Sequence, residues 1–212
     1  MYDAEAAVKA DLIILAVKPW KLKEVIDDLK PVMDYSRQAV ASVAGGVGLG
    51  DLSALLDKGD GQTLPIYYII PNTAASVGES MTFISSANAS AALDAEVVAI
   101  FGELGSVRLV EEKLMNPGMV LASCGIAFAM RYIRAATEAG VELGFYASDA
   151  QKTVMQTMKG AVALLEKSGS HPEVEIDRVT TPGGLTIKGL NEMEANGFTT
   201  SVIEGVKKAM PK

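Results

Sequence analysis

The sequence predicts a parallel, doubly wound α/β sheet in its first half and an all-helical second half. In the first half, short apolar runs alternate with polar segments of helical periodicity, which is the pattern of parallel strands joined by crossover helices. After about residue 112, only helical periodicity remains. We therefore divide the chain into two domains, 1–112 and 113–212.

The elements of the first domain follow from their apolar patterns. A helical segment at 3–10 precedes the continuous apolar run 11–17, which predicts a strand buried on both faces and closed by Lys18-Pro19. We expect all the strands to run parallel. The further predicted helices are 20–29, 52–56 and 91–104, and the further predicted strands are 38–43, 63–70, 81–84 and 106–110.

The helices of the second domain are delimited by capping signals. Asn116-Pro117 predicts an N-cap and first helical residue, and Gly140 predicts the end of that helix. Ser148 is expected to cap the next helix, which Gly169 stops. Two last helices are predicted at 190–194 and 198–210.

Small residues interrupt the apolar faces of these helices, as at Gly125 and Gly160, and they allow helix axes to approach closely. A helical region this apolar and only about 100 residues long cannot bury all its faces alone. We therefore expect it to form a homodimer.

The composition excludes several classes of function. Acidic residues outnumber basic ones by 26 to 19, a net charge of −7, so nucleic acid is not an expected partner. A single cysteine, Cys124, precludes an intrachain disulfide and favours the cytoplasm. With one histidine, His171, which we expect in a turn, we predict no metal site. The longest uncharged stretches, 61–78 and 116–130, are broken by proline or too short to cross a bilayer, so we expect no membrane segment.

Three loops lie where the predicted parallel strands end, at 16–19, 43–46 and 70–73. Ligands of open parallel sheets bind beyond these carboxyl ends. Each loop alone could be a simple strand end, but three together favour a cofactor edge. No G-x-G-x-x-G follows the first strand, and the glycine-rich 45–50 has the wrong spacing for a phosphate loop, so the sheet is expected to start in mid-fold.

The strongest local pattern is Val-Thr-Thr-Pro-Gly-Gly-Leu-Thr-Ile at 179–187. Backbone N–H groups at a helix N-terminus, with Thr181 and Thr186 beside them, would bind a small carboxylate. The alternative is a capping turn in which Thr181 caps a helix that Pro182 opens.

Taken in order, these motifs resemble those of pyrroline-5-carboxylate reductases, the family that catalyses the last step of proline biosynthesis. The ordered set spans nearly the whole chain, and the Pro-Gly-Gly-x-Thr segment is its most specific part. The matching segments are Leu15–Pro19, Pro71–Thr73 with Gly78 and Thr82, Glu138–Val141 with Gly144, Gln156-Thr157 with Gly160, His171-Pro172, Val179–Ile187 with Gly189-Leu190, and Glu194–Phe198.

The resemblance implies a Rossmann-like NAD(P)-binding domain at 1–112, incomplete at its N-terminus, and a helical dimerisation and substrate-binding domain at 113–212, whose dimers can assemble into decamers. It implies that Thr186 also serves catalysis by donating or relaying a proton, an ordered water being the alternative. The residues implied for the carboxylate of pyrroline-5-carboxylate are Thr181, Gly183, Gly184, Leu185 and Thr186, and those implied for NADPH or NADH are Ala16, Val17, Lys18, Pro19, Ala44, Gly45 and Asn72.

Two departures from the family keep alternatives open. The dinucleotide fingerprint is absent, which leads us to expect that about 50–60 preceding residues, roughly two βα units, are missing. The family's Ser-Gly-Ser-Gly-Pro-Ala-Tyr stretch is replaced at 122–128 by Ala-Ser-Cys-Gly-Ile-Ala-Phe. The alternatives are a related NAD(P)-dependent imine or β-hydroxyacid reductase, and a non-catalytic dimerising fragment.

Overall fold

The computed structural model describes residues 4–211, so residues 1–3, which include the start of the first predicted helix, and Lys212 lie outside it. This part of the chain divides after Cys124 into two compact units. The described strands are β1 (Leu12–Leu15), β2 (Ala39–Ser42), β3 (Ile66–Ile70), β4 (Ser80–Ala87) and β5 (Gly105–Leu109). The described helices are α1 (Ala4–Lys9), α2 (Leu22–Leu29), α3 (Leu49–Leu56), α4 (Ala91–Gly102), α5 (Met115–Met119), α6 (Gly125–Glu142), α7 (Ala147–Ser168), α8 (Pro172–Arg178), α9 (Leu185–Ala195) and α10 (Phe198–Lys208).

The five strands form one sheet in the order β1-β2-β3-β4-β5. β1, β2 and β3 are parallel, as are β4 and β5, but β3 and β4 pair antiparallel. The expectation that all strands run parallel is therefore wrong at this one pair. The connection 71–79 contains only a short 3-10 turn, Thr73–Val77, and a parallel crossover needs a dozen residues or more.

Helices cover both faces of the sheet, as a doubly wound fold requires. On one face, Leu22 of α2 and Leu52 of α3 pack in a cluster that includes Tyr68 of β3. On the other face, Val97 of α4 packs in a separate cluster with Tyr67. The two adjacent tyrosines point to opposite faces because side chains alternate along a strand.

The first unit continues past the domain boundary predicted at 112/113. A 3-10 turn at Glu112–Leu114 leads into α5, whose Met115 is buried in the core of the sheet unit. Gly118 lies so close to the Phe83 ring that an added Cβ would come within 2.7 Å of it. These contacts attach the start of the helical region to the sheet.

Two predicted helix starts are wrong. Asn116 is not an N-cap, because the preceding 3-10 turn continues directly into α5 and Leu114 takes the cap position. Ser148 is not one either, since α7 begins at Ala147 after Tyr146. A π-helical turn at Val120–Cys124, which the sequence did not indicate, joins α5 to α6.

The predicted helix stop at Gly140 is also wrong, because α6 continues to Glu142. A Cβ at Gly140 would lie 2.8 Å from the Cβ of Ala150 in α7, so this glycine allows the two helices to approach closely. Gly169, in contrast, ends α7 in a left-handed conformation with φ of +62°, as predicted.

The second unit, residues 125–210, has almost no buried interior. Ala150 is its one buried residue among those described, whereas apolar side chains such as Leu143, 81% exposed, line its helices. The helical stretch 112–142 is also long and apolar enough to cross a membrane, by length and composition alone. Helices that bury an apolar face against protein meet the same criterion.

Candidate functional site

The loops predicted to form a cofactor edge lie together at one end of the sheet. β1, β2 and β3 are adjacent and parallel, with Leu15 opposite Ser42, so their carboxyl ends meet at the same edge. The structure therefore brings Ala16–Pro19, Ala44-Gly45 and Asn72 to the ends of three neighbouring strands.

The loop after β1 presents accessible backbone. Ala16, Lys18 and Pro19 are exposed, and Val17 is half-buried. Lys18 has an extended backbone, and Pro19 is the first residue of a 3-10 turn, Pro19–Lys21, that contains Trp20. Trp20, the only tryptophan in the sequence, is 77% exposed immediately after this loop.

The glycine-rich loop after β2 is held by three hydrogen bonds, at its start, in its middle and where it enters α3. The Ala44 N–H donates to the Ser42 hydroxyl at 3.3 Å, and the Gly46 N–H donates to the Tyr68 hydroxyl at 3.0 Å. At the start of α3, the Leu49 N–H donates to Oε1 of Glu112 at 2.7 Å.

The Glu112 carboxylate limits what this loop can bind. A helix N-terminus attracts phosphate through its unpaired N–H groups and partial positive charge. Here a carboxylate already takes that position at α3. The phosphates of a dinucleotide at this edge would therefore not be held at α3, in agreement with the wrong glycine spacing at 45–50.

The hydrogen bonds of Asn72, at the end of β3, are mostly to the protein itself. Its Oδ1 accepts from the Ala74 N–H at 2.9 Å and caps the following 3-10 turn. Its Nδ2 donates to the Ala122 carbonyl at 3.4 Å, and its own N–H donates to the Ser80 hydroxyl at 3.1 Å. Its backbone carbonyl accepts from the Ala75 N–H at 3.1 Å, so the second hydrogen of Nδ2 is the group left to meet a ligand.

The stretch in which the chain departs from the family begins beside this loop. Ser123 donates through Oγ to the Pro71 carbonyl at 3.4 Å, next to the contact between Ala122 and Asn72. Both residues lie on the π-helical turn, a feature that recurs at functional sites.

The predicted carboxylate site in the second unit is an exposed turn. The Gly184 N–H donates to the Thr181 carbonyl at 2.9 Å, and Gly183 between them has φ of +69°, as in a type II turn with Pro182 before the glycine. A Cβ on Gly184 would come within 2.5 Å of the Thr181 hydroxyl, so both glycines are required. The turn is not sealed inside the helices, since Leu185 is 86% exposed.

The capping interpretation of this turn is wrong. α9 begins at Leu185, three residues after Pro182, and Gly184 takes the N-cap position without any side-chain hydrogen bond. The leading N–H groups of a helix lack intrahelical partners. An acceptor from a ligand can therefore satisfy them, with the exposed Thr186 in the same first turn.

The remaining candidates carry structural roles. His171 is the N-cap of α8, a helix that the sequence did not indicate, and its Nδ1 accepts from the Glu173 N–H at 3.3 Å. Cys124 is half-buried in the π-helical turn. Among residues 4–211, no group of three or more histidine, cysteine, aspartate or glutamate side chains is placed to hold a metal ion.

Comparison with known proteins extends over both units. Residues 112–212 match the family model for pyrroline-5-carboxylate reductase dimerisation. Pyrroline-5-carboxylate reductase 2 of Dictyostelium discoideum is 37% identical over 217 residues, covering 96% of this chain and 72% of the relative. Pyrroline-5-carboxylate reductase 1 of the same organism is also 37% identical, but the chain spans only 38% of its length.

A solved structure agrees with the sequence relatives. Pyrroline carboxylate reductase of Plasmodium falciparum, crystallised with NADP bound, has a TM-score of 0.87 and 30% identity, over 99% of this chain and 78% of that one. The dimerisation model also covers the unit whose apolar helix faces are exposed, and self-association accounts for them. On this evidence, the chain belongs to the pyrroline-5-carboxylate reductase family.

Proposed function

We propose that this chain reduces 1-pyrroline-5-carboxylate to proline with NADPH or NADH, the last step of proline biosynthesis. The observation that carries the proposal is the sheet edge, where three adjacent parallel strands end together and the loop after β1 is exposed, in a chain of this family. Such an edge is where α/β sheets bind nucleotide cofactors.

The cofactor-binding residues that we propose surround that edge. The exposed Ala16 and Gly45 leave the backbone open to a flat ring. The buried Ala44, together with Val17, Lys18, Pro19 and Asn72, completes the set. The bound nicotinamide supplies the hydride. The chain's own part is to hold the reacting groups in register and to exclude water.

The substrate carboxylate is proposed to bind at the Thr181–Thr186 turn. The partial positive charge at the start of α9 and its uncapped N–H groups favour an anion there. Gly183 and Gly184 keep the backbone bare, the Leu185 N–H donates, and the Thr181 and Thr186 hydroxyls flank the site.

Proton supply is the smaller requirement of this reaction. A cyclic imine is readily protonated, so a site without an available histidine suffices, and orientation can contribute about 7–11 kcal/mol of the barrier reduction. We assign to the Thr186 hydroxyl the donation or relay of a proton to the imine nitrogen, an ordered water being the alternative source.

The assembly that we propose is a homodimer formed through residues 113–212, with further association into decamers. The location that we propose is the cytoplasm. Exposed apolar side chains on α6 and α7, such as Phe128 and Met155, have too few partners within one copy. A second copy that covers them supplies the missing core.

A two-part assay tests the proposal. Trp20, as the single tryptophan, reports cofactor binding through quenching of its fluorescence by NADPH, and NADPH oxidation is followed after addition of 1-pyrroline-5-carboxylate. Thr186→Val should reduce turnover, whereas Thr199→Val, an exposed threonine of α10, should not. A chain that neither binds NADPH saturably nor oxidises it would instead be a non-catalytic dimerising fragment.

A second candidate follows from the contact between Ala122-Ser123 and Pro71-Asn72. The altered stretch 122–128 begins at this edge with Ala122 and Ser123, and it has fewer hydroxyls than the family pattern, which favours a related imine or β-hydroxyacid as substrate. A substrate panel at fixed NADPH separates the candidates by kcat/KM. A clear preference for another acid would replace pyrroline-5-carboxylate as the substrate.

A further inference from the structure

The glycine-rich loop at 43–48 is fastened by two side chains from distant parts of the chain. Tyr68, on the neighbouring strand and only 3% exposed, accepts from the Gly46 N–H through its hydroxyl at 3.0 Å. Glu112, 63 positions beyond Leu49, accepts the Leu49 N–H at 2.7 Å. The loop thus has one fixed point in its middle and another at its exit into α3.

The glycines of the loop fit these two contacts. Gly46 has φ of +84°, a backbone conformation that most residues avoid, and this conformation accompanies the hydrogen bond to Tyr68. A Cβ on Gly48 would lie 2.5 Å from Oε1 of Glu112, so any larger residue here would require the carboxylate to move. The glycine-rich sequence therefore serves the loop's own shape rather than a phosphate.

We propose that Tyr68 and Glu112 are positioning residues for cofactor binding. This inference rests on the proposed function, because the Ala44-Gly45 backbone that we assign to the cofactor lies in the loop that they hold. Neither side chain needs to touch the cofactor. A loop that is already fixed loses less conformational entropy when a ligand binds, so loss of either contact should weaken cofactor binding selectively.

The chain offers a matched control for each contact. Tyr67→Phe removes a hydroxyl from the same strand on the opposite face of the sheet, away from the loop. Glu111→Gln neutralises the neighbouring carboxylate, which pairs with Lys113 at 2.5 Å, whereas the Leu49 N–H donates to Glu112. Glu112→Gln keeps an uncharged acceptor and Glu112→Ala removes it, so the first should retain more affinity than the second.

The experiment measures KM for NADPH, KM for pyrroline-5-carboxylate, kcat and Tm for each variant. Glu112→Ala should raise KM for NADPH about tenfold and Tyr68→Phe about threefold, as expected for one charge-assisted and one neutral hydrogen bond. The KM for the imine and kcat should stay within about twofold of the unsubstituted chain, since the substrate turn is untouched.

Two results would overturn the inference: variants that match their controls, and a loss of kcat and Tm without a selective change in KM for NADPH. Titration of NADPH against Trp20 fluorescence separates this outcome from failure of the proposed function. If the unsubstituted chain binds NADPH but does not reduce the imine, the function is wrong, and weaker binding by the Tyr68 and Glu112 variants still supports the inference. If the unsubstituted chain does not bind NADPH, both are wrong.

Discussion

Alanine at Gly183 tests whether the turn before α9 is a preformed carboxylate site. Gly183 has φ of +69°, and no heavy atom lies within 4 Å of an added Cβ, so the whole cost of the substitution is conformational. A left-handed conformation costs an L-residue about 1–2 kcal/mol. The lower entropy of alanine in the unfolded chain offsets only part of this cost. We expect Gly183→Ala to lower the free energy of unfolding by about 1 kcal/mol or to shift the turn to another conformation.

The matched control is Gly189→Ala, in the helix that follows the turn. Gly189 is interior to α9, has no positive φ, and also has open space around an added Cβ. Alanine in a helix interior is favoured over glycine by about 0.8–1.0 kcal/mol, so this variant should be more stable than the unsubstituted chain. The two substitutions add the same methyl group six residues apart and should have opposite signs.

The assay combines thermal unfolding with steady-state kinetics at one protein concentration, because self-association couples stability to concentration. Gly183→Ala should lower Tm and raise KM for pyrroline-5-carboxylate, with KM for NADPH unchanged. Equal effects of both variants on Tm would refute the conformational argument. An unchanged KM for the imine in Gly183→Ala would refute the assignment of the carboxylate to this turn.

Three further predictions follow. Burial, together with the neighbouring carboxylate of Asp94, raises the pKa of Tyr67 above its usual 10.0. The folded state therefore keeps this proton when the unfolded state has lost it, so the free energy of unfolding should fall as pH rises above about 10, by up to about 1.36 kcal/mol per pH unit. In Tyr67→Phe the fall should be less steep. Parallel pH profiles of the two proteins, measured by urea unfolding, would contradict this. Gly140→Ala should be destabilised by about 1 kcal/mol, because crowding against Ala150 outweighs the gain in helix propensity. Gly205→Ala, at an exposed glycine of α10 with open space around an added Cβ, should instead gain stability, and thermal unfolding of both variants gives the signs. Asn72→Ala should lose about 1 kcal/mol of stability, because the side-chain oxygen that caps the 3-10 turn is missing, and Asn72→Asp, which retains this acceptor, should recover much of the loss. Equal Tm values for the two variants would show that the cap contributes nothing.

The sequence predicted the strands well because a strand buried on both faces is a continuous apolar run, as at 11–17 and 63–70. It did not predict the direction of β4, since strand direction leaves no trace in the apolar pattern of the strand itself. The information was in the connection 71–79, which is too short to carry a crossover helix.

The helix starts at Asn116 and Ser148 were predicted wrongly for a related reason. Capping residues indicate where a helix can begin, but a 3-10 turn that leads directly into α5 removes the need for a cap. The same limit applies to Pro182, which lies within a type II turn that precedes α9.

The candidate site was predicted in its local parts only. Loops after parallel strands and a Pro-Gly-Gly turn are written in consecutive residues, and the structure places them as strand ends and as an exposed turn. The contact of Glu112 with Leu49 joins residues 63 positions apart and has no local signal. Its only trace in the sequence is Gly48, a glycine without positive φ whose reason becomes visible once the carboxylate is placed beside it.

The helical unit connects the assembly of this protein to its chemistry. Its helices bury one residue among those described, so a single copy gains little hydrophobic stabilisation from folding them. The proposed carboxylate site is a turn between two of these helices, and its geometry depends on a glycine in a conformation that costs free energy for any other residue. A turn of this kind binds well only when the helices that flank it are fixed. Since the described helices of this unit bury only Ala150 within one copy, we expect self-association both to cover the apolar faces and to hold the proposed site in shape. This gives a physical reason why one segment would combine dimerisation with substrate binding.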